Sequence, residues 1–214
     1  MNNLVIACDN LKIEINQILN EFNLKVDIIW VDSKYHNNPS ELHNNLQKYI
    51  DDNREYENIV LLYGYCGNSI NGLKSDFSNI IYPIVDDCIS LYLGGNDVRQ
   101  NIENSKSTYF FTKSLFENKQ GLYNEIEIMK KKYGVDKAVS VYKDILKNYT
   151  DIKIIDTGCC DISDMIQKAK GLAKEFELNW DVIKGDLSMI YDALTGKWSE
   201  KFVINEKSKS ISLF

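Results

Sequence analysis

Short apolar, β-branched runs alternate along the chain with longer stretches in which apolar residues recur at helical spacing. That is the pattern of an α/β sheet joined by crossover helices. Residues 4–7 read as a first buried strand. Leu11, Ile15, Ile18, Leu19 and Phe22 follow at helical spacing, and residues 26–31 form a second strand. Asn38-Pro39 opens a helix with proline in its first turn, where the missing N–H costs nothing. Leu42, Leu46, Tyr49 and Ile50 make that helix's buried stripe. Residues 59–63 are a continuous apolar run, which suits a strand covered on both faces. A fourth strand is expected over 80–85, with Pro83 placing it near an edge or at a bulge.

The acidic pair Asp86-Asp87 is expected to cap a short helix that starts near Cys88 and ends at Gly94-Gly95. A fifth strand falls at 108–111, followed by two helices joined at Gly134 over about 122–149. A sixth strand at 153–156 ends in Thr157-Gly158. A helix over 165–176, a strand at 180–183 and a helix over 187–194 follow, and 202–204 and 211–214 offer edge strands. The pattern predicts an α/β, Rossmann-like doubly wound fold with a mostly parallel sheet. It forms a single domain over 1–214, the alternative being two intimate lobes that break near the Asn/Lys/Ser-rich stretch 96–107.

Composition narrows the function classes. The 214 residues are 44% hydrophobic and 11% aromatic, enough to bury a core and exclude disorder. A net charge of −6 lacks the basic footprint of a nucleic-acid binder. The run Lys130-Lys131-Lys132 reads as a solvated helix C-terminus. No window approaches the ~18 apolar residues of a membrane span, and the first residues do not form a signal sequence. No nucleic-acid or membrane partner is therefore expected, and a cytoplasmic protein with reduced thiols is.

The five cysteines carry the strongest chemical signal. Cys8 follows the first strand directly, Cys66 and Cys88 each come three residues after a strand, and Cys159-Cys160 follow the sixth. In open α/β sheets ligands bind outside the carboxyl ends of the strands. If the sheet is parallel, all five cysteines share that edge. Soft thiolates gathered from separate loops suit zinc, an iron–sulfur cluster or another thiophilic metal. The candidate metal ligands are Cys8, Cys66 and Cys88, with His36, in the loop after the second strand, as fourth ligand or acid/base. Cys66 with His36 is also a candidate catalytic thiol–imidazole pair. Gly64, Gly67 and Asn68, in the loop after the third strand, are candidate cofactor-binding positions, although Gly64-x-x-Gly67 lacks the other residues of a dinucleotide or phosphate loop. His43 reads as a surface residue, and Asp156-Thr157-Gly158 as a strand-ending turn.

Several strings resemble the uncharacterised family numbered 1638 among the domains of unknown function. They are Ala7-Cys8-x-x-Leu11 with Glu14, His36-Asn37-x-Pro39, Tyr63-Gly64-x-Cys66-Gly67-Asn68 and Asp87-Cys88-Ile89-x-Leu91, then Thr108-Tyr109-Phe110-x-Thr112, Asp156-Thr157-Gly158, Gly185-Asp186-Leu187 and Gly196-x-Trp198. The resemblance implies that Cys8, His36, Cys66 and Cys88 belong to the family pattern, whereas Cys159-Cys160 looks peculiar to this chain. Asp87 stands where many relatives have His. Family members are found largely in methanogens and other anaerobes, often encoded beside corrinoid-dependent methyltransferases. That setting implies anaerobic one-carbon, corrinoid or sulfur metabolism. The leading expectation is a metal- or iron–sulfur-binding protein acting on a small molecule. The rivals are a non-enzymatic accessory protein that binds a corrinoid or docks a corrinoid protein or methyltransferase, and a thiol-dependent enzyme.

Overall fold

The apolar run nearest the N-terminus becomes the centre of a sheet. In the computed structural model, which describes residues 2–103 and 107–213, the chain divides into two units, 1–98 with 186–214, and 99–185. The first part of the chain runs β1 (Asn3–Cys8), α1 (Lys12–Glu21), β2 (Asp27–Val31), a 3₁₀ turn (Ser33–Asn37), α2 (Pro39–Asp52), β3 (Asn58–Leu62), β4 (Asn79–Pro83), α3 (Cys88–Tyr92) and α4 (Asn96–Glu103). The second unit contributes β5 (Thr108–Phe111), α5 (Lys113–Glu117), α6 (Leu122–Tyr133), α7 (Val135–Leu146), β6 (Asp151–Asp156), α8 (Ser163–Phe176) and β7 (Asn179–Lys184). The chain then returns to the first unit as α9 (Ser188–Thr195) and β8 (Phe202–Asn205).

The first unit holds a five-stranded sheet in the order β2-β1-β3-β4-β8, parallel except for β8. From β1 the chain passes through α1 to β2 on one side, and after α2 has carried it from β2 across to β3 it continues to β4 on the other. The gap between the ends of β1 and β3 is therefore the switch point of a Rossmann-like α/β sheet, where the loops part and leave a crevice. Strand alternation puts Leu4, Ile6, Cys8, Ile59, Leu61 and Tyr63 on one face, packed against Leu42, Leu46 and Ile50 of α2. On the other face α9 packs against β3 and α1. Asn38 caps α2, its side chain accepting the Glu41 N–H at 3.2 Å, and Pro39 takes the first helical position.

β4, expected near an edge or at a bulge, lies one strand in from the edge. It pairs with β3 on one side and β8 on the other. Pro83 is nevertheless accommodated, because the parallel ladder with β3 ends at Ile81 and Pro83 lies opposite Phe202 at the end of β4; no central ladder bond needs its missing N–H. Residues 211–213 form no strand. Ile211 instead donates its N–H to the Leu73 carbonyl at 2.8 Å and is buried in the core, while Phe214 lies outside the described residues. The polar stretch expected as a break begins with α4, and residues 104–106 lie outside the described residues.

The second unit is a three-stranded parallel sheet, β5-β6-β7. Its core joins Phe111, Ile152 and Ile154 to Ile126, Met165 and Ala169 from the helices. Gly134, at φ 87°, separates α6 from α7. Asp156-Thr157-Gly158 is a turn, with the Asp156 carboxylate accepting the Gly158 N–H at 2.9 Å. Among the described residues no helix is long and apolar enough to cross a membrane.

Candidate functional site

Four strand ends deliver the chemistry. Cys8 is the last residue of β1 and is 1% exposed. Its Sγ lies 3.3 Å from Nε2 of His36, which the 3₁₀ turn after β2 carries in. The next residue helps to anchor that turn: Asp9 accepts the Ser33 N–H at 2.9 Å. The His36 ring is stacked with Tyr63 at a centroid separation of 6.2 Å.

Beyond β3 the backbone keeps following the end of β4. Tyr65 N–H donates to Val85 O at 2.9 Å and Cys66 N–H to Asp86 O at 3.0 Å. Gly64 makes this approach possible, since a Cβ there would stand 2.5 Å from the Asp87 Cα. Cys66 itself has φ 44°, a left-handed conformation that costs a side-chain-bearing residue roughly 1–2 kcal/mol. Such strain persists only where the surroundings fix it, and it clusters at functional sites. Cys88 opens α3, and Asp87 caps that helix by accepting the Ile89 N–H at 2.9 Å.

The thiols are protonated at neutral pH. Burial pushes Cys8 and Cys66 each up to about 12 and raises Cys88 well above the ordinary thiol value. Carboxylates add to this: Asp9 and Asp32 act on Cys8, and Asp87 acts on Cys66 and Cys88. The thiols also raise one another, Cys66 acting on both Cys8 and Cys88. Opposing these, backbone hydrogen bonds from Asn10, Gly64 and Cys88 favour the thiolates of Cys8, Cys66 and Cys88 respectively. Burial also lowers His36, against the fields of Asp9 and Asp87, so its imidazole is neutral. A cluster of thiols in a field made by carboxylates is a poor place for free thiolates and a favourable one for a cation.

The profile of a family described as "Protein of unknown function (DUF1638)" matches residues 30–194. The chain belongs to that family. No curated protein and no solved structure matches it. Within this DUF1638 chain the matched span contains His36, Cys66 and Cys88, and begins after Cys8.

The five cysteines do not share one sheet. Cys8 ends β1, Cys66 lies in the turn after β3 and Cys88 opens α3, all in the first unit, whereas Cys159 and Cys160 follow β6 of the second. His36 contacts Cys8, not the Cys66 expected as its catalytic partner. Of the candidate cofactor-binding positions, Gly67 and Asn68 line a cavity of about 330 Å³ with Pro39, Ser40, His43, Asn44 and Ser69, while Gly64 is closed off by the Asp87 backbone. His43 is not a plain surface residue, since its Nδ1 lies 2.9 Å from the Ser69 carbonyl oxygen. Among the described residues no three His, Cys, Asp or Glu side chains are gathered closely enough to enclose a metal ion as they stand.

Sequence reasoning missed Tyr63. It is 1% exposed, and its hydroxyl has no hydrogen-bond partner among the described residues. Burial raises this phenol well above its ordinary value, and the fields of Cys8, Cys66, Asp9 and Cys88 reinforce the shift. A tyrosine closing an otherwise apolar strand is the available signal, because a buried phenol needs a partner that the neighbouring aliphatic residues cannot supply.

Proposed function

We propose that this DUF1638 protein binds a single thiophilic metal ion at the switch point of its first sheet, through Cys8, Cys66, Cys88 and His36. The observation that carries the reading is the contact between Cys8 Sγ and His36 Nε2 at 3.3 Å. A sulfur and a nitrogen bound to one tetrahedral zinc stand about 3.5 Å apart, given metal–sulfur and metal–nitrogen bonds of about 2.3 and 2.0 Å. Ligands of a cluster bind different irons and stand farther apart, so the pair favours one ion over an iron–sulfur cluster. The proposed set requires the Cys66 and Cys88 thiols to turn toward this pair on binding, a change of the kind that separates staggered rotamers.

The surrounding chemistry supports the same reading. Metal binding displaces thiol protons, and the Asp9, Asp32 and Asp87 carboxylates favour the incoming charge. Three thiolates make the ion a soft centre, and because His36 fills the fourth position of a tetrahedral shell, a sulfur-bearing small molecule would reach the metal only by displacing the imidazole. The chain's own residues bind and orient that centre, and the buried β1 and β3 ends exclude water from it. A thiol nucleophile is less well supported, because a nucleophilic cysteine needs a lowered pKa and some exposure. Cys8 has neither, and burial also pushes Cys66 up.

Titration of anaerobically purified, metal-free protein with zinc or Co(II) tests the proposal. One equivalent per chain is expected, with a thiolate-to-Co(II) charge-transfer band, and Cys66→Ser or Cys88→Ser should weaken binding by at least about 100-fold. Failure to take up either ion would overturn it. Uptake of a corrinoid by the same metal-free preparation, without uptake of an ion, would favour the accessory-protein reading instead.

A further inference from the structure

The Tyr63 hydroxyl is a buried donor with nothing to donate to. Its ring is fixed from two sides: the backbone leaves the buried strand β3 one residue earlier, and the His36 imidazole is stacked with it. It shares a core face with Cys8, and Cys66 packs against that face. Neutral thiols are weak hydrogen-bond acceptors, whereas a thiolate accepts strongly because its charge assists the bond. The orphaned hydroxyl therefore makes sense in the state in which the thiols have lost their protons.

We infer that Tyr63 is a positioning residue of the metal site, its O–H donating to a metal-bound thiolate of the Cys8, Cys66 and Cys88 set. This rests on the proposed metal site. The hydrogen bond draws charge off the sulfur, fixes the orientation of that ligand and gives the hydroxyl its missing partner only when the site is filled. Outer hydrogen bonds of this kind typically tune metal affinity by about 10–100-fold.

The two states should respond to Tyr63→Phe with opposite signs. In the metal-free protein the variant removes an unpaired buried hydroxyl, so the urea midpoint should stay level or rise. In the loaded protein it removes a hydrogen bond, so Co(II) should bind about 10–100-fold more weakly. The thiolate-to-Co(II) band should also move to lower energy, because the sulfur lone pairs are no longer stabilised. A tyrosine that only fills space would shift the midpoints of both forms alike, level or upward, and leave the band in place, and that result would overturn the inference. An unchanged affinity and band in a variant that still binds Co(II) would overturn it as well. If the wild-type protein takes up no Co(II), the metal site itself has failed, and the two failures are thereby told apart.

Discussion

At Gly64 the missing Cβ does the structural work, because the Asp87 and Asp86 backbones already occupy the space a side chain would take. Gly64→Ala sets a carbon against backbone atoms that cannot rotate away. It should destabilise the fold by about 3 kcal/mol and separate Cys66 from Cys88, a loss that a urea unfolding curve on metal-free protein would register. His36 gives a pH signature of the same pocket. Its folded-state pKa lies below the ordinary 6.5 because burial disfavours the charged ring, so the unfolded chain takes up the proton first as pH falls. The corresponding stability is present above about pH 6.5 and is lost as pH drops through the folded value. His36→Gln should flatten that acid-side loss in metal-free protein, as read from urea midpoints between about pH 5 and pH 8. An unchanged slope would mean that the imidazole is not held neutral. The sequence made Cys8, His36, Cys66 and Cys88 legible because each follows a recognisable strand. It did not reveal that His36 meets Cys8, since a pairing across β1 and β2 depends on a turn whose path the hydrophobic pattern leaves open.

At the scale of elements, the site depends on how strands end. The parallel course of the chain after β3 and β4 continues past both strands through the Tyr65 and Cys66 amides. The Asp87 cap then turns the backbone into α3 with Cys88 as its first residue. Asp87→Ala should cost about 1 kcal/mol through the lost cap. It also removes a carboxylate from the field at Cys66 and Cys88, so zinc should bind more weakly than in the wild-type protein; calorimetric titration would measure the change. Strands such as β1 and β3 were legible because they are buried on both faces and read as unbroken apolar runs. α4 was not, because it presents few apolar positions and its polar residues look like a loop. Pro83 pointed to a position near the edge, where β4 lies, and at the strand's last residue proline has no ladder bond to lose.

Across the whole molecule the same α/β pattern serves two sheets, and this is what periodicity could not show. Each strand announces itself locally, but which strands pair is settled by contacts distant in sequence, such as β4 with β8. The two sheets divide the five cysteines three and two. Cys159→Ser with Cys160→Ser should therefore leave metal stoichiometry and affinity unchanged, and elemental analysis after dialysis would reveal any contribution from that pair. The most direct test of the central claim is X-ray absorption at the zinc edge of the loaded protein. Three sulfurs at about 2.3 Å and one nitrogen at about 2.0 Å per zinc are predicted, whereas a shell of oxygen and nitrogen alone would contradict the account.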